Sequence, residues 1–236
     1  MKETLKKNNA SEEFIQWAGD KTVKQIWDTC ERGDWMLELA KSLEFNEKLL
    51  KFSELACLTN ILPVSQLNLG PDSEFNVESF CDIMLKFIKG QIDESEKNYH
   101  AALLQHQYYI VSKSNKELED YFRYEPNVAE LLEIKEESEA IQHKDYHIMK
   151  TIVGEVMLSL MFVMGHYLPK TSSEVINKIV DVACYIYQNA EELDFNENTH
   201  KDLMELSSEI VRSCITLKFT NGEWHGIINQ SSFTES

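Results

Sequence analysis

Helix breakers are scarce in this chain: 236 residues contain only 8 Gly and 4 Pro. All-β folds draw on many more turn residues, so most of the sequence runs on with nothing to interrupt a helix. The apolar positions agree. Met36, Leu39, Ala40 and Leu43 recur at i, i+3, i+4 and i+7, the period of one helical face. Val23, Ile26, Trp27 and Cys30 share another face, and Ile176, Ile179, Val180, Ala183, Tyr187 and Ala190 a third. The expected fold class is therefore all-α, a bundle of roughly nine or ten helices, with a division into two helical subdomains left open.

Local signals set the expected boundaries. Ser11 to Gly19 reads as a short helix, Asn46 caps one that stops before Pro63, and Gly90 closes one that begins after Asn76. Asp93 caps a long helix to about Ser114, expected to turn Tyr99, Leu103, His106 and Ile110 inward. Residues from Val64 to Asn76 read as a loop, and a polar helix is expected from Asn127 to Lys144. The most apolar helix runs from Asp145 to Leu168 and ends at Pro169; Ser172 or Ser173 caps the next. A last helix, about Thr199 to Leu217, turns Leu203, Leu206, Ile210, Cys214 and Leu217 inward. The parts are then an N-terminal region 1–115, a C-terminal region 116–219 and a polar tail 220–236, where Asn221-Gly222 marks a turn and a small hairpin is an open alternative.

Charge narrows the function. Forty acidic against 23 basic residues give a formal charge of −17. Nucleic acid and anionic membranes both select for Lys and Arg, so neither is expected as a partner. A basic protein would be steered toward such a chain, although acidity also serves solubility alone. The five cysteines are odd in number, scattered, and set in apolar helical patterns; they read as buried free thiols of a reducing cytoplasm. The longest apolar stretch, Val156 to Leu168, is too short for a bilayer and contains His166.

One segment is distinctive: Trp27-Asp28-Thr29-Cys30-Glu31-Arg32-Gly33-Asp34-Trp35-Met36-Leu37. It resembles the W-x-x-C-x-R-G-D-W-[ML]-L signature of a family assigned as immunity proteins of bacterial polymorphic-toxin systems, also found in mobile elements. Leu49 to Leu62, with Ser53, Ala56 and Cys57, is similar to that family's small-residue helix. Phe80 to Ala102 is similar to its A-x-x-W-x-x-G-x-x-x-x-E-x-x-x-A stretch. The resemblance covers about the first 110 residues and departs from the pattern at Leu103 to Val111. It implies a non-enzymatic protein that neutralises a cognate toxin by forming a tight complex.

The residues of the motif also have a purely structural account. Gly33 would supply a left-handed turn, Asp34 a helix cap, Arg32 a bond to the carbonyls ending the preceding helix, and Trp27 and Trp35 a packed pair. The functional alternative places Arg32 or Asp34 against a partner.

Candidates for chemistry are sparse. His143 and His147 lie at i, i+4, a metal-pair spacing, and Thr151, Glu155, Ser159 and His166 continue that line. Helical di-iron sites need paired Glu-x-x-His motifs, and Glu155 has no His three residues on; the competing account is a solvated face. No G-x-S-x-G elbow or phosphate-binding glycine loop is present. The expectation is no enzyme and no cofactor. Two acidic groups stand out: Glu130, Glu133, Glu136, Glu137 and Glu139 on one helix, and Glu191, Glu192, Asp194, Glu197 and Asp202 around a loop. Either they are solvated faces, or Glu133, Glu136 and Glu137 dock a basic toxin. The rival functions are an acidic decoy that mimics nucleic acid and a metal-dependent helical enzyme.

Overall fold

A computed structural model describes residues 1–63, 77–124, 151–165, 171–189 and 193–229, with backbone alone at 110 and 113–124. The described residues form ten helical segments and one two-stranded sheet. In chain order these are α1 (Lys2–Lys7), α2 (Glu12–Ala18), α3 (Val23–Thr29), α4 (Gly33–Ser42), α5 (Glu47–Ile61), α6 (Val77–Ile88) and α7 (Glu94–Tyr124). Then follow α8 over 151–163, α9 (Ser172–Asn189), α10 (Thr199–Cys214), β1 (Ile215–Thr220) and β2 (Glu223–Ile228). The all-α expectation holds. None of the described helices is long and apolar enough to cross a membrane.

Capping side chains begin five of these helices. Ser11 accepts from the Phe14 amide, Asn46 from Lys48 and Asp93 from Glu96, each satisfying an otherwise orphaned first-turn donor. Thr22 and Gln25 form a reciprocal capping box. A second box begins α9, where Thr171 Oγ1 accepts from the Glu174 amide and Glu174 returns the bond to the Thr171 amide. Thr171 is thus the cap, in place of Ser172 or Ser173. Gly90, at φ +71, closes α6 with the Gln91 amide reaching back to the Lys86 carbonyl, a left-handed stop that glycine adopts without penalty. Gly165, at φ +72, likewise ends α8, so that helix stops short of the expected Leu168. The apolar run continues in the sequence to Pro169, but the nearer glycine sets the stop.

The core joins both ends of the chain. Helix α5 is buried on nearly all sides through Leu49, Leu50, Phe52, Leu55, Ala56, Leu58 and Ile61. Helices α9 and α10 pack on both α4 and α5, α6 packs on α5, and α7 on α6. Helix α7 runs ten residues beyond the expected end and turns a different face inward: Lys97, Ala101 and Leu104 are buried, with Tyr108 and Val111 half-buried. Tyr99, Leu103 and His106 lie on the outside, contrary to expectation, because two stripes of the same period share this helix and the other one is packed. The side chain of Ile110 is outside the described residues.

The last helix ends at Cys214, and Leu217 belongs to a strand. The hairpin left open in the sequence reading is present, so residues 220–228 are strand and turn in place of a polar tail. Asn221 and Gly222 both take positive φ, +55 and +89, the backbone of a type I′ turn whose twist suits a two-residue hairpin. Register pairs Leu217 with Gly226 and Phe219 with Trp224. At Gly226 the strand meets the start of α5 so closely that an added Cβ would lie 2.5 Å from Phe45 Cδ2 and 2.6 Å from Leu49 Cδ2.

Candidate functional site

The Trp27–Leu37 motif folds into the corner between α3 and α4, and four parts of the chain meet there. Arg32 sits just before α4 with extended backbone, φ −131 and ψ 112. Its guanidinium forms a two-pronged pair with Asp34: Nε donates to Oδ1 at 3.1 Å and Nη2 to Oδ2 at 2.7 Å. Such paired geometry is favoured by the planar fork of arginine. Asp34 is 1% exposed and also accepts from Asn177 Nδ2 of α9 at 3.3 Å. The bond to Asp34 holds the Arg32 pKa above its ordinary value, against an opposing effect of burial. Arg32 further lies 4.3 Å from the centroid of the Trp35 ring, within cation–π range, and 3.6 Å from exposed Glu13.

The indole of Trp35 packs with Phe14 at 5.5 Å and Trp17 at 5.6 Å between centroids, so its ring partners come from α2, where Trp27 of α3 had been expected. The bonds to the end of α3 come from elsewhere too. Arg212 of α10 donates to the Cys30 carbonyl at 2.7 Å and the Trp27 carbonyl at 3.3 Å, which is the role expected of Arg32. Gly33 has no left-handed φ; it begins α4 and donates its amide to Ser207 Oγ at 3.0 Å. Glycine is required there by proximity. An added Cβ would come within 2.9 Å of both Cβ and the backbone carbon of Ser207. Cys30 donates to the Arg32 carbonyl at 3.3 Å, and burial pushes its thiol up to about 11, far from a thiolate nucleophile.

These contacts separate the two motif residues proposed as partner-binding. Asp34 is sequestered with both oxygens engaged, so it positions Arg32 and presents nothing to a partner. Arg32 keeps 35% of its side chain exposed beside Glu13. Glu133, Glu136, Glu137, His143, His147 and His166 lie outside the described residues. Glu155 lies on α8 and pairs with Lys178 of α9, at the edge of a cleft of about 240 Å³ lined by Thr151, Asp181, Val182 and Tyr185. Among the described residues no three His, Cys, Asp or Glu side chains are grouped to hold a metal ion.

A second candidate surface is the connection from α9 to α10. Asp194, Glu197 and Asp202 are exposed there, and Phe195 stands among them 48% exposed. His200 lies 3.7 Å from Asp181, extending the charged surface onto α9. The carboxylates are legible in the sequence as a cluster, whereas the signal for Phe195 is a lone aromatic between acids in a loop. Comparison with family models, curated proteins and solved structures finds no match for this chain.

Proposed function

We propose that this protein is a non-enzymatic binding protein, an immunity protein that neutralises a basic toxin by occluding it in a tight complex. The observation that carries the proposal is Phe195 exposed within the carboxylates of the α9–α10 connection. Exposed aromatics anchor interfaces by filling a partner's pocket, and surrounding charge of one sign steers the opposite sign into register. The Arg32–Gly33–Asp34 motif supports the proposal through its resemblance, with Arg32 as its accessible group. A net charge of −17 favours a cationic partner over an anionic one.

Affinity purification of the full chain from its host, followed by mass spectrometry, tests this. One basic partner at equal stoichiometry is expected, toxic when expressed alone and silenced by this protein. Its association rate at low ionic strength should fall at least tenfold with Asp194→Lys plus Glu197→Lys. Recovery of no such partner, or a partner indifferent to both charge reversals and to Phe195→Ala, would overturn the proposal.

A further inference from the structure

Helix α7 carries two apolar faces, and among the described residues one is packed and the other exposed. Lys97, Ala101 and Leu104 face the core, and Gly154 of α8 approaches Val111 and Tyr108 along the same side. On the opposite side Tyr99 and Leu103 are 63% and 44% exposed, with His106 one turn further on. Their spacing, i, i+4 and i+7, is the spacing of a buried stripe, and Tyr109 adds a second exposed ring beside it. The same helix is singular in charge. Between Glu96 and Glu117 the chain carries no carboxylate, the longest such interval in a sequence with 40 Asp and Glu.

We infer that the outer face of α7 is a self-association surface, seating a second copy of this chain with the two α7 helices antiparallel about a two-fold axis. The charge pattern selects that occupant. Two molecules of charge −17 repel each other, so copies can meet closely only where carboxylates are missing. A basic partner would find no carboxylate on this face to pair with and is drawn elsewhere. A two-fold arrangement is self-complementary: with Leu103 near the axis, Tyr99 of one copy lies toward His106 of the other. One helical face buries less than a standard interface, so the dimer is weak and concentration-dependent.

Salt dependence distinguishes this contact from charge-steered binding. Screening relieves repulsion between like-charged copies, so self-association strengthens as ionic strength rises, whereas capture of a basic partner weakens. Sedimentation of the full chain over a concentration series at low and high salt is the test. The expected result is a monomer–dimer equilibrium tightened by salt and weakened at least tenfold by Leu103→Glu, with helicity unchanged by circular dichroism. A Leu103→Cys variant supplies a second reading, since four of the native thiols are buried and Cys184 is half-buried. Its labelling should be fast in dilute solution and slow as concentration rises. A monomer at every concentration and salt, a dimer indifferent to Leu103→Glu, or a thiol at 103 that labels slowly when dilute would each overturn the inference. The last outcome would mean that the chain's own residues cover the stripe.

Discussion

Gly33 and Ser207 touch across a separation of 174 positions, the amide of one donating to the hydroxyl of the other at 3.0 Å. Ser207 Oγ in turn donates to the Met204 carbonyl at 2.6 Å, so the hydroxyl both accepts and donates. Helix α4 can approach α10 this closely only because residue 33 has no side chain.

Gly33→Ala should therefore be strongly destabilising, by about 2 kcal/mol or more, the range for overpacking a tight contact. Ser207→Gly in the same chain should recover only part of the loss, because the backbone carbon of residue 207 would also lie 2.9 Å from the new methyl group. Chemical denaturation of the two single variants and the double variant decides this, and full recovery would contradict it.

Removing either member of the Arg32–Asp34 pair should have unequal effects. Without Arg32, Asp34 remains buried with Asn177 as its partner, and an uncompensated buried charge costs about 3 kcal/mol. Without the Asp34 charge, half-exposed Arg32 can turn to solvent or Glu13, and Asp34→Asn should cost nearer 1 kcal/mol. Equal losses in the midpoint of unfolding would show that the pair is not anchored from the Asp34 side.

Glu54 is buried on α5, with Lys51 Nζ 2.7 Å from Oε2 and Oε1 without a hydrogen-bond partner among the described residues. Burial raises its pKa, opposed by Lys51 and by the hydroxyl of Ser172. A carboxyl group raised in the folded state binds its proton more tightly there than in the unfolded chain. Its contribution to stability is fully present below the unfolded value, about 4.3, and is lost as pH rises through the folded value. Relative to Glu54→Gln, the native protein should be at its best in acid and lose ground toward neutrality. Unfolding free energies of both proteins across that pH interval would expose a flat difference, which would refute the assignment.

Gly226 should tolerate no side chain while the hairpin remains seated. Gly226→Val drives its branches into Phe45 and Leu49 and should lift β2 from α5, at a cost of about 1–3 kcal/mol. Amide exchange should accelerate along both strands while α9 and α10 keep their protection. Uniform exchange acceleration throughout the molecule would show instead that the hairpin and bundle unfold together.

What could be read from the sequence was local. Caps at Asn46 and Asp93 and the stop at Gly90 are decided within four residues, and each is where its neighbours imply. Helix α7 shows the limit of periodicity: Tyr99-Leu103-His106 and Lys97-Ala101-Leu104 recur equally well, and only a packed neighbour distinguishes them. At the motif corner the residue types were informative while their partners were not. Arg212 reaches the end of α3 across 182 positions, and Asn177 reaches Asp34 across 143; no spacing rule links such pairs. Phe195 is not legible in the sequence because a single loop aromatic has no period at all.

The packing of α9 and α10 onto α4 and α5 also sets an order of events during synthesis. Helices α4 and α5 leave the ribosome long before the segments that cover them, and loop closure over such a distance delays the contacts that bury them. Until then Leu39, Leu55 and Leu58 have no complete shelter, and the nascent chain presents apolar surface to chaperones and to its neighbours. How long that surface stays open is set by how quickly the last quarter of the chain finds its first.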